Sequence, residues 1–84
     1  MNSRHKNTLA ALFGSPPPKG MPWADIEALL LAVGATVTEG RGSRVKFDLA
    51  GQTVAFHRPH NPKTARAYQV VIAREFLENV GVRP

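Results

Sequence analysis

Two runs of alternating residues, joined by a dipeptide, restrict this chain more than any other feature. Residues 43–49 set Val45, Phe47 and Leu49 on one side and Arg44, Lys46 and Asp48 on the other. Residues 52–57 alternate again, with Val54 and Phe56 on the apolar side. A period of two is the mark of a strand with one face buried. If Ala50-Gly51 forms a two-residue loop, Leu49 faces Gln52, Phe47 faces Val54, Val45 faces Phe56, and Arg44 faces His57. Inward residues then meet inward residues. A slip of one position would turn a whole strand over, so the pattern selects this register. Ala-Gly is a weaker hairpin dipeptide than Asn-Gly, which leaves room for a bulge.

The flanking sequence supplies a third strand and three helices. Residues 35–39 are rich in β-branched side chains and lead into the hairpin through the turn Gly40-Arg41-Gly42. Residues 3–13 can form a helix with Leu9, Leu12 and Phe13 on one side. Ser15-Pro16-Pro17-Pro18-Lys19-Gly20 ends it. Three prolines favour a stiff extended strap, with a ligand for a proline-binding domain as the alternative. Pro22 suits the first position of a second helix running to about Val33, with Trp23, Ile26, Leu29, Leu30 and Val33 on its core face. Leu31 points off that face and is expected to meet the N-terminal helix. Residues 64–80 predict a last helix with Val70, Ala73, Phe76, Leu77 and Val80 buried, and Gly81 stops it. The fold class is therefore α+β, with helices on one face of a three-stranded antiparallel sheet plus an extra N-terminal helix. One domain is expected over residues 1–84: a helix and strap over 1–20, then an α-β-β-β-α core over 21–84. The other sheet face, bearing Arg44, Lys46 and His57, is left to solvent.

Charge points to the same region. Eleven Lys and Arg against six acids give a formal net charge of +5, which favours nucleic acid or another anionic partner. Arg41, Arg44, Lys46, Arg58, Lys63 and Arg66 lie close in sequence, with His57 and His60 among them and Asp48 as the one acid between Arg41 and Arg66. There is no cysteine, which excludes disulfides and thiolate zinc sites. No apolar run approaches the roughly 20 residues of a membrane span, and the apolar part of residues 1–14 is too short for a signal peptide. The expectation is a cytoplasmic protein without a membrane partner. A chain of this size buries only about 60% of its unfolded surface, so a partner protein can contribute to its stability.

The loop Phe56-His57-Arg58-Pro59-His60-Asn61-Pro62 offers two histidines beside arginines and no carboxylate. That set suits RNA cleavage without metal or cofactor. One imidazole takes the proton of the ribose 2′-hydroxyl, the other protonates the 5′-oxygen leaving group, and a cation holds the charge growing on phosphorus. Other readings fit these residues less well. His57 and His60 as a metal pair lack a third ligand. Ser43 as a nucleophile lacks a recognisable base and orienting acid. Gly40-Arg41-Gly42-Ser43 as a phosphate cradle rests on two glycines. Simple solvation of two loop histidines also stays open.

Several segments together resemble the HicA toxins of bacterial type II toxin–antitoxin systems. They are the Pro22-Trp23 helix start, Gly34-Ala35, the Gly42-Ser43 start of a strand, the His57-Arg58-Pro59-His60 loop, and the C-terminal Phe76-Leu77-Glu78-Asn79-Val80-Gly81-Val82-Arg83-Pro84. The resemblance covers most of the chain. It implies a double-stranded-RNA-binding-domain-like fold, ribosome-independent cleavage of mRNA (an mRNA interferase) and neutralisation by a HicB-like antitoxin. In many members a catalytic histidine follows the Gly-Ser pair. Here that position is Arg44, and an arginine stays protonated and cannot act as a base.

The hairpin register offers a replacement, because His57 faces Arg44 across the strands. The expected catalytic set is His57 as substitute base, Arg44 as phosphate clamp, and His60 or Lys46 assisting. The expected RNA-binding set is Arg41, Ser43, Arg44, Lys46, Arg58, Lys63 and Arg66. Tyr68 and Val71 lie off the buried stripe of the last helix and are expected to contact the antitoxin. The alternative function is a non-catalytic module of the same fold that binds RNA or a partner. DNA binding ranks third, since no helix carries a clear base-reading set.

Overall fold

The computed structural model describes all 84 residues. They form α1 (Ser3–Leu12), α2 (Trp23–Ala32), β1 (Thr36–Glu39), β2 (Arg44–Leu49), β3 (Gln52–His57) and α3 (Ala67–Asn79). The fold is α+β, with three helices and a three-stranded antiparallel sheet in the order β1-β2-β3. This arrangement is consistent with a double-stranded-RNA-binding-domain-like fold. No helix is long and apolar enough to cross a membrane.

The hairpin register agrees with the alternation at every position, from Leu49 opposite Gln52 to Arg44 opposite His57. Ala50 and Gly51 both have positive φ, 51° and 79°, the handedness of the type I′ turn that matches strand twist. The inward residues Val45, Phe47 and Phe56 are buried, whereas Arg44, Lys46 and His57 are exposed. β1 pairs with β2 through Val37 opposite Phe47 and Glu39 opposite Val45. All of β1 is nevertheless exposed. At the tight β1–β2 turn, a Cβ on Gly40 would lie 3.1 Å from both Cβ and the carbonyl oxygen of Arg44, so glycine permits this close approach.

The core contains fifteen buried apolar residues drawn from all three helices and the sheet. Leu9 and Leu12 bring α1 into it, and α1 packs against α2 and α3. An ion pair from Arg4 to Asp25 (2.8 Å) ties α1 to α2. Arg74 of α3 lies over the Phe13 ring, 5.2 Å from its centroid.

Three expectations need correction. Leu31 is 44% exposed, because Trp23, Ile26, Leu29 and Leu30 form the buried face of α2 and Leu31 falls off it. Pro22 is the N-cap of α2, one position before the helix. Finally, α3 begins at Ala67, three residues later than its periodicity implies. Residues 63–65 instead run beside residues 21–23, with Trp23 N–H donating to the Lys63 carbonyl and Ala65 N–H to the Met21 carbonyl. Those long-range bonds hold the segment extended.

Candidate active site

His57 ends β3 and is anchored through both of its neighbours. Phe56 points inward and meets Trp23 edge-on at 4.8 Å and Phe47 at 6.1 Å between ring centroids. Such aromatic pairs add stability beyond their buried area. Arg58, on the other side, donates its backbone N–H to the Ser43 carbonyl at 2.9 Å. The His57 carbonyl accepts from Gln69 Nε2 at 2.8 Å. The imidazole therefore stands exposed on a fixed backbone, with its Nδ1 3.4 Å from Ser43 Oγ.

Gln69 is a site residue that sequence periodicity misses. It is only 1% exposed, and its amide is used at both ends. Nε2 reaches His57, and Oε1 accepts from the Arg66 N–H at 2.9 Å. A polar residue in the first turn of a helix reads as a solvated side chain. The clue available in the sequence was its place between Val70 and the preceding loop, one step from the buried stripe.

A shallow groove of about 360 Å³ gathers Ser43, His57, His60, Arg66, Tyr68 and Gln69. Beside it, across the Ser43–Arg44 peptide, a second groove of about 280 Å³ includes Arg41, Arg44 and Lys46. Both predicted histidines thus share one groove, and Arg44 directly opposes His57. Two cationic partners at such a position repel, a cost that a neutral imidazole or a bound phosphate removes. Lys63 is exposed on the loop and lines neither groove, and Val71 is exposed on the flank of α3. Nowhere do three His, Asp or Glu side chains converge as a metal site would require.

Arg58 departs from the expected RNA-facing set. It borders the histidine groove, yet all three guanidinium nitrogens are taken by carboxylates. Nε and Nη2 donate to Glu27 at 2.9 and 2.8 Å, while Nη1 and Nη2 donate to Glu39 at 2.6 and 2.8 Å. Glu27 also accepts from Trp23 Nε1 at 2.8 Å. Hydrogen bonding from Arg58 holds the carboxyls of Glu27 and Glu39 below their ordinary value. Hydrogen bonding to Glu39 and then Glu27 raises the guanidinium further above its own. Arg58 is a clamp joining α2, β1 and the end of β3, with four of its five N–H donors committed to carboxylates.

Fold and site together define a small basic α+β domain whose grooved sheet end carries imidazole and guanidinium groups. More specifically, the chain belongs to the HicA toxin family of bacterial toxin–antitoxin systems, whose family model matches residues 23–81. The match runs from α2 to the glycine after α3, so α1 and the proline strap lie outside it. No curated protein and no solved structure matches the chain significantly.

Proposed function

We propose that the protein is a metal-independent endoribonuclease that cleaves mRNA and is neutralised by a HicB-like antitoxin. The observation carrying this reading is that His57, which shares a groove with His60, is the cross-strand partner of Arg44, which lines the adjoining groove. The base must be the atom that faces substrate. If Nδ1–H donates to Ser43 Oγ, the lone pair of Nε2 is free to take the 2′-hydroxyl proton. The 2′-oxygen then attacks phosphorus, the 5′-oxygen leaves, and His60 supplies its proton. Arg44, with Arg41 and Lys46 behind it, offsets the charge that develops on the phosphoryl oxygens. The products are a 2′,3′-cyclic phosphate and a 5′-hydroxyl.

Arg41, Arg44, Lys46, Lys63 and Arg66 remain the cations proposed to track the RNA backbone, with Ser43 as a neutral contact. For the antitoxin, Tyr68 and Val71 lie three residues apart on one helix face and are exposed by 59% and 43%. A second reading, a binding module without catalysis, is favoured by Arg44 following Gly42-Ser43, the position where the resemblance implies a catalytic histidine, since an arginine cannot act as a base. Incubating purified protein with RNA and with single-stranded DNA in chelator separates the two. RNA cut to cyclic-phosphate and 5′-hydroxyl ends, with DNA intact, supports the nuclease. Binding without cutting supports the module.

A further inference from the structure

Tyr68 is the only tyrosine in the chain and its most exposed large apolar side chain, at 59%. The packing of α3 does not require it, since Val70, Ala73, Phe76 and Leu77 fill the core side. It lies one residue before Gln69, whose buried amide fixes this turn to the His57 carbonyl. Tyr68 lines the groove that holds His57 and His60.

The lining of that groove contains no carboxylate; besides Tyr68 itself, its charged or titratable side chains are two histidines, Arg66 and the carboxylate-paired Arg58. Imidazoles and a cation beside a flat exposed ring form the set that grips single-stranded nucleic acid. The cation takes the backbone and the ring takes a base. A base inside a duplex already has both faces covered, so the ring has a use only where a nucleotide is unpaired.

We propose that Tyr68 is a base-stacking platform beside the two histidines, so that the groove accepts single-stranded RNA with an unpaired base on the tyrosine ring. The proposal rests on the reading of the groove as an RNA site, but it concerns binding and not cleavage.

The test uses a fluorescein-labelled 2′-O-methyl oligonucleotide, which lacks the attacking hydroxyl, offered as a single strand and as its duplex. Anisotropy is measured for wild type, Tyr68→Ala, Tyr68→Phe and, as an exposed apolar control outside the groove, Leu31→Ser. Loss of one stacked base weakens binding by at least about fivefold. The expected result is that loss for Tyr68→Ala on the single strand alone, with Tyr68→Phe and Leu31→Ser close to wild type. Stacking also shifts the ring-proton resonances of the single tyrosine upfield when the strand is added. Unchanged single-strand affinity of Tyr68→Ala overturns the proposal, and so does an equal loss on strand and duplex. A loss of antitoxin affinity alone overturns it too and assigns the ring to the protein interface. Tyr68-dependent binding by a protein that cuts no unmodified RNA sinks the nuclease and leaves this proposal standing.

Discussion

Replacing Gln69 by leucine isolates the bond that holds the site together. The side chain is buried and makes two hydrogen bonds, to the His57 carbonyl at 2.8 Å and from the Arg66 N–H at 2.9 Å. Leucine keeps most of the volume and loses both. Each bond contributes about 1 kcal/mol net, and a backbone group left without a partner in a part-buried position adds to the cost. The expected loss is about 2–3 kcal/mol, a large share of what a domain of this size possesses. For a domain of this length that corresponds to a fall in Tm of about 10–20 °C. Gln69→Glu sharpens the point. It keeps the acceptor for Arg66 and removes the donor for His57, while placing a carboxylate where an amide was. Its Tm should also fall, by more at neutral pH than in mild acid, where the carboxyl regains a proton to donate. Thermal melts followed by circular dichroism give both numbers. A shift of less than about 3 °C for Gln69→Leu would refute the idea that this amide secures the His57 strand to α3.

Three further outcomes follow from the same contacts. Ala50 has φ of 51°, a left-handed conformation that asparagine adopts more readily than alanine because its short amide hydrogen-bonds locally, so Ala50→Asn should stabilise by about 0.5–1 kcal/mol in a urea melt, and a loss would contradict the type I′ assignment. The carboxyls of Glu27 and Glu39 are held below the ordinary value of 4.5 by Arg58. Their contribution is therefore present above that pH and lost as pH falls through the lowered folded values. Glu27→Gln should cost stability at neutral pH and flatten the acid limb of the stability curve, and an unchanged slope there would refute the clamp. Val71→Ser should weaken antitoxin binding about fivefold in titration calorimetry without lowering Tm; equal affinity removes Val71 from the interface.

The hairpin was legible because a half-buried strand pair leaves a two-residue period in the sequence, and Phe47, Val54, Val45 and Phe56 agree on one register. From that register came the juxtaposition of Arg44 and His57. What stayed hidden depends on contacts distant in sequence. The partners of Arg58 are 31 and 19 residues away, so a local count of charges assigned it to RNA. Residues 63–65 look like helix until their pairing with residues 21–23 is known. Gln69 resembles any polar residue at a helix start, and its burial follows from where the end of β3 lies. Tyr68 was visible as an exposed apolar side chain, but its place in the histidine groove depends on how α3 docks.

The proposed nuclease activity turns on His57 acting as base, from the strand opposite Arg44. Cleavage rates of a single-stranded RNA in chelator test it, using wild type, His57→Ala and the double variant Arg44→His/His57→Ala, each checked for folding by its melt. His57→Ala should be slower by about 10²–10⁴-fold, and a histidine at position 44 should restore a measurable part of the rate. Cleavage by folded His57→Ala at the wild-type rate would contradict this role for His57.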